Sequence, residues 1–373
     1  MGSLPSPPQP TAPPPSPEFS PSSYRVYASF SHKNISNWIE YYNPYNNTWT
    51  YVSSIPNLMD NHVLKGFAMV SLGDSIYIIG GLLCRRERPP HCNSDEPDHE
   101  LVDVNVRVVS SVLRYNVQTN QWSECASLGL PRCDFASSVC DNKIFVAGGK
   151  SNLSSAIGIS GAEVYDPTLD AWTPLPNMST LRYKCVGVTW QDQIYVVGGF
   201  AVRGDSDKTV PFLTERSSAE VYNTQTGRWD LVAGMWQLDV PPNQIVAIDG
   251  KLYSSGDCLK AWKGHIDAYD GKLNIWSVVD GSNLQALNSP VSTSDADCEN
   301  WPPIQRLYLT MAPIGTHIYF LAGYRMAGES SRTMSTVLIF DTLATCEAWR
   351  SFEPIEEDVE KELRSHCCVV RIY

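Results

Sequence analysis

A chain of 373 residues, 43% of them hydrophobic and 18% charged, has apolar material for a large core and too little charge to be disordered throughout. Its formal net charge of −12 argues against a nucleic-acid backbone as the main partner, because phosphate binding calls for a surplus of Lys and Arg. No run of about eighteen apolar residues suggests a membrane span, and the N-terminus lacks the charged-then-apolar leader of a signal peptide.

In chain order, residues 1–23 come first: a Pro/Ser-rich stretch that cannot pack a core and is expected to be a disordered tail of partly polyproline-II character. From Tyr24 onward one pattern recurs. An apolar strand and a polar turn lead to an aliphatic strand ending in Gly-Gly. A variable insert then precedes a strand ending in Tyr-Asp or Tyr-Asn, and a short hairpin closes on Trp. One copy runs Cys185–Trp190, Gln193–Gly199, Ala219–Asn223 and Trp229, and its neighbour runs Phe135–Val139, Lys143–Gly149, Ala162–Pro167 and Trp172. An earlier copy carries Ile76–Gly81, Leu113–Asn116 and Trp122. Two later copies keep the first Gly of the doublet and replace the second with Asp257 and Tyr324.

The Gly doublet, the Tyr-Asp and the downstream Trp resemble the Kelch repeat, in which each unit of about fifty residues forms a four-stranded blade. The closing residues Trp49, Trp122, Trp172, Trp229, Trp276 and Trp349 give six units. The resemblance implies an all-β, six-bladed β-propeller over residues 24–373. After Trp349 only the strand Ser365–Tyr373 remains, and no inner strand precedes Tyr24–Phe30. The C-terminal strand is therefore expected to become the innermost strand of the N-terminal blade, which removes two exposed sheet edges. The style of the repeats is plant-like, and residues 1–22 are too short for an F-box or BTB domain.

With the strands of a blade lettered a to d from the inside, the long inserts 82–107, 150–160, 200–217, 279–305, 324–335 and 353–364 are all b–c or d–a connections. They share one face, which is the expected functional face. At the start of the inner strands there stand Lys65, Arg132, Arg182, Arg306 and Arg364, with Tyr183, Tyr308 and His366 beside the same register. Such cations would make a basic rim for a carboxylate or phosphate. The opposing expectation is that Glu163 and Glu220 pair with the arginines in a structural role. Insert 82–107 gathers Cys84, His91, Cys92, Asp95 and His99, which are zinc-type ligands in a spacing that matches no known finger, so a solvated loop is the expectation there.

No P-loop, dinucleotide fingerprint or nucleophile elbow is found, and no cofactor is expected. The eleven scattered cysteines suit a reducing compartment, cytoplasmic or nuclear. The reading is a protein-interaction platform whose loop face binds a protein partner, with a ubiquitin-ligase connection among the possibilities that the resemblance implies. The alternative is a cofactor-free isomerase, epimerase or cyclase acting on a small anionic metabolite in the central mouth.

Overall fold

A computed structural model describes residues 21–32, 35–88, 101–203, 213–238, 240–257, 265–283, 304–326, 332–344 and 347–372. Of the expected tail, residues 1–20 lie outside the described residues, and Pro21–Ser23 form a single 3-10 turn. The rest is almost wholly antiparallel strand, interrupted by the one-turn helix Leu213–Arg216.

The strands group into six principal sheets in chain order. The second sheet contains Ala68–Leu72, Ser75–Ile79, Val112–Asn116 and Gln121–Cys125. The third contains Ala136–Cys140, Lys143–Ala147, Ala162–Asp166 and Ala171–Leu175. The fourth contains Val186–Trp190, Gln193–Val197, Ala219–Asn223 and Arg228–Val232, and the fifth Ile245–Ile248, Lys251–Ser254, Asp267–Asp270 and Ile275–Val278. The sixth holds Ile304–Ile314, His317–Met326, Arg332–Asp341 and Trp349–Ser351, with Ile355–Glu357 pairing beside the third of these.

The first sheet joins the two ends of the chain. Tyr24–His32, Ile35–Asn43 and Thr48–Ser54 are completed by Glu362–Arg371, in a register that sets Tyr24 against Arg371 and Tyr27 against Cys368. This is the pairing expected from the missing inner strand. Apolar clusters fill the spaces between consecutive sheets: Ile79 and Val112 of the second pack with Ile144 and Val146 of the third. Another cluster packs Val26 and Tyr42 of the first sheet with Ile314, Leu321 and Ile339 of the sixth. The innermost strands also neighbour one another in succession, and the sixth sheet's inner strand lies beside Glu362–Arg371.

The repeated residues hold each sheet together in the same way. Tyr165 donates its hydroxyl to Asp170 (2.7 Å), and Tyr115 and Tyr269 do likewise to Asn120 and Asn274. Those acceptors have φ of 44° to 56°, a left-handed conformation that Asn and Asp tolerate in tight turns. The closing Trp then stacks on that Tyr, with centroids 5.1 Å apart for both Tyr115–Trp122 and Tyr165–Trp172. Its indole N–H reaches the preceding sheet, as when Trp172 donates to the Ala126 carbonyl at 2.9 Å and Trp229 to Pro176 at 2.8 Å. The Gly doublet is needed because a Cβ on Gly149 (φ 94°) would stand 2.7 Å from the Cys133 carbonyl and from the Phe135 Cβ.

Insert 82–107 departs from the expected solvated loop. Leu82–Glu87 and Val102–Val108 pair as a hairpin and add to His62–Lys65, making a three-stranded sheet over the loop face. Cys84 is buried there and donates its thiol to the Asn105 side chain at 3.4 Å. His91, Cys92, Asp95 and His99 lie outside the described residues. Insert 200–217 likewise contains a strand, Phe200–Arg203, paired with Thr180–Tyr183.

Candidate functional site on the loop face

The approach to the inner strand is built alike in the second, third and fourth sheets. Gly66, Asp134 and Lys184 take φ of 55°, 53° and 52° there, and non-glycine residues adopt this region only under constraint. The constraint is a chain of backbone bonds: the Asp134 N–H donates to the Gly66 carbonyl at 2.8 Å, and the Lys184 N–H to the Asp134 carbonyl at 2.7 Å. The side chain after the turn is thus fixed in each sheet, and the cation before it faces inward.

Arg132 is fully buried and donates to the Gly148 and Gly161 carbonyls, both at 2.9 Å, and to Glu163 at 2.6 Å. Arg182, also fully buried, donates to the Gly198 and Ser218 carbonyls and to Thr180 Oγ1 (2.6 Å), whose hydroxyl in turn reaches Glu220 at 2.6 Å. Burial pushes both guanidinium pKa values down, opposed by the neighbouring glutamates. Each pair lies within one repeat, tying the segment before the inner strand to the third strand. The glutamate signal in the Glu-Val-Tyr motif therefore marks a structural partner.

Lys65 and Arg364 behave differently. Both converge on Asp103 of the added hairpin, where Arg86 also donates to Asp103 Oδ1 at 3.2 Å. Arg364 further pairs with Glu362 and donates to Ser31 at 2.6 Å. Burial lowers Arg364 to about 10, while the surrounding cations, Lys65 first, hold Asp103 below the usual carboxylate range despite its burial. One carboxylate thereby fastens the hairpin to His62–Lys65 and to the first sheet. Among the described residues, Arg306 alone of the five cations makes no ion pair, and desolvation lowers its pKa.

Tyr183 is half-buried, stacks near Phe200 (5.1 Å) and carries the Lys150 ammonium 4.1 Å above its ring. Tyr308 is buried against Phe30, with centroids 5.2 Å apart. His366 lies on the innermost strand of the first sheet, and protein crowding pushes its pKa down to about 4, with a hydrogen bond to the Asn243 backbone opposing that shift. Its Nδ1 and the Asn243 side-chain amide nitrogen are enclosed with no hydrogen-bond partner among the described residues.

Asp134, Lys184, Lys150, Tyr183, Arg306, His366 and Asn243 lie on or border the approaches to the inner strands. Asp134, Lys184, Lys150 and Asn243 escaped sequence reasoning, although Asp134 and Lys184 follow Arg132 and Arg182 by two positions. Burial raises the Asp134 carboxyl, and Lys184 and Lys150 oppose it. The set can hydrogen-bond a polar group and offers both signs of charge. Among the described residues no group of three or more His, Cys, Asp or Glu is placed to hold a metal ion.

Successive antiparallel four-stranded sheets, closed by an aromatic–Trp pair and carrying a Gly doublet in the second, third and fourth, are consistent with a Kelch-type β-propeller. The Kelch motif matches residues 131–179 and 181–235, which span the third and fourth sheets. The chain is 30% identical over 202 residues to the F-box/kelch-repeat protein At1g16250 of Arabidopsis thaliana, covering 53% of this chain and 46% of that protein. It is 26% identical to At1g22040 of the same plant (69% and 53% covered). It is 27% identical to Kelch-like protein 21 of Mus musculus (65% and 40% covered). The chain spans about half or less of the length of these relatives. Over these stretches the chain is similar to Kelch-repeat proteins.

Proposed function

We propose that this chain is a six-bladed propeller closed by its C-terminal strand, and that it serves as a protein-interaction platform binding a partner through the b–c and d–a loop face. Closure is supported by the Tyr24–Arg371 register and by the apolar cluster between the first and sixth sheets. The observation that carries the function is a row of exposed apolar side chains on the strand added to that face, next to further exposed apolar residues on its connections. Val102, Val104 and Val106 on the added hairpin are 41–43% exposed, and Leu130, Leu153 and Ile157 on the connections of the third sheet are 40–46% exposed. Apolar side chains held open on structured loops suit a protein surface better than a small polar metabolite.

The plant relatives combine an F-box with Kelch repeats by name, so the partner is proposed to be a protein handled by ubiquitin-ligase machinery, in the cytoplasm or nucleus. Affinity capture with the full chain tests this, comparing Leu153→Asp/Ile157→Asp with Leu169→Asp/Leu273→Asp on the c–d turns of the opposite face. The first pair is expected to lose a stoichiometric partner and the second to keep it. Equal retention by both would overturn the choice of face. A second reading, a small-molecule enzyme in the mouth, is favoured by one observation: Asp134 and Lys184 are both held in left-handed backbone, the Lys184 N–H bonded to the Asp134 carbonyl. Saturable binding of an anionic metabolite, lost in Lys184→Ala, would favour it.

A further inference from the structure

In the second and third sheets a phenylalanine immediately precedes the inner strand and lies against the Gly doublet. Phe67 comes before Ala68, which pairs with Ile79, and Phe135 before Ala136, which pairs with Ala147. The equivalent register in the sixth sheet is Tyr308, before Leu309, which pairs with Ala322. Its ring lies over Gly323, where an added Cβ would run into it. A phenyl ring does that packing in the second and third sheets, and the sixth sheet adds a hydroxyl. That hydroxyl is enclosed and has no hydrogen-bond partner among the described residues.

A second orphan lies in the same junction. Glu357 directs Oε2 to Lys361 at 2.5 Å, while its Oε1 is enclosed without a partner. Lys361 also binds Glu40 at 2.8 Å, and Trp38 donates to the other oxygen of Glu40 at 2.8 Å. All gather about Phe30, whose ring is 5.2 Å from that of Tyr308 and 5.5 Å from the Lys361 ammonium. Trp49 closes the wall at 5.6 Å from Phe30, and its indole N–H is enclosed and unpaired too, unlike the N–H groups of Trp122, Trp172, Trp229 and Trp276.

The chemistry restricts what can satisfy these groups. A phenol with its proton donates, and a carboxylate oxygen only accepts, so an occupant between them must accept from one and donate to the other. A cation is disfavoured by Lys361 and an anion by Glu40 and Glu357. We infer that the junction between the first and sixth sheets binds a hydroxylic oxygen, from an ordered water or from a small polyol, which accepts from Tyr308 and donates to Glu357 Oε1. The aromatic walls of Phe30, Trp38 and Trp49 provide apolar faces for the carbon skeleton of a polyol. The site is separate from the exposed apolar surface proposed above and does not depend on it.

The test compares the thermal midpoints of the full chain and of Tyr308→Phe. If the hydroxyl is bridged, Tyr308→Phe melts lower, by about 2 °C. An unchanged or higher midpoint overturns the inference, since removing a truly orphaned hydroxyl relieves a penalty. Glycerol and myo-inositol then separate the sources. A polyol is the occupant if either raises the wild-type midpoint more than that of Tyr308→Phe, and water is the occupant if the rise is equal. Should Tyr308→Phe fail to fold, a high-resolution crystal structure of the wild type decides. An oxygen within hydrogen-bonding distance of both Tyr308 Oη and Glu357 Oε1 supports the site, and its absence overturns it.

Discussion

Replacing Arg182 with methionine separates a structural arginine from a binding one. The wild-type side chain is fully buried and satisfies three backbone carbonyls, Thr180 Oγ1 and Ser218 Oγ, beside the buried Glu220. Methionine keeps much of the volume but takes that donor from those carbonyls and leaves a buried carboxylate without a cation. Breaking one partner of a buried pair costs about 3–5 kcal/mol. The lower part of that range applies, because Glu220 still accepts from the Ser179 and Thr180 N–H groups, each at 2.8 Å. A loss of about 3 kcal/mol should lower the urea midpoint by roughly 1 M at the slopes usual for such domains. The assay is urea unfolding followed by near-UV circular dichroism, with Arg306→Met as a reference expected to lose less than about 1 kcal/mol. Restoring neutrality with Arg182→Met/Glu220→Gln should recover part of the loss. If Arg182→Met unfolds at the wild-type urea concentration, the structural assignment fails and the anion-site reading regains Arg182.

Deleting residues 365–373 should abolish cooperative unfolding and raise susceptibility to limited proteolysis, because it strips Cys368 and Val370 from the core and exposes the edge of Tyr24–His32. Retention of a sharp transition would contradict the proposed closure. His366 predicts a pH dependence. With its folded pKa near 4, below the ordinary imidazole value of 6.5, the unfolded chain binds more protons between those values. Its contribution is therefore fully present above about pH 6.5 and is lost as pH falls towards 4. His366→Gln should flatten the slope of urea midpoint against pH in that window, and an unchanged slope would show that His366 is not held neutral.

The repeat itself was legible because its determinants are local. Tyr, the left-handed Asn or Asp five residues on and the closing Trp lie within one hairpin, so their spacing announces the turn that Tyr165, Asp170 and Trp172 form. The role of the C-terminal strand was also legible, from counting strands around Tyr24. The hairpin in insert 82–107 was missed because charged and Pro-rich residues between its strands masked the alternation of Val102, Val104 and Val106.

The linear order of residues by itself determined the number of repeats, the length of each connection and the residues that cap each turn, since hydrogen bonds and stacking within a few residues depend little on the rest of the molecule. Tertiary structure alone decided which cations are spent. Arg132 meets Glu163 and Arg182 approaches Glu220 inside one repeat, whereas Lys65 and Arg364, far apart along the chain, meet on Asp103. The physical reason is that a guanidinium is free or consumed according to the acceptors brought to it by sheets packing side by side. That neighbourhood is set by the docking of distant strands, and no local spacing encodes it.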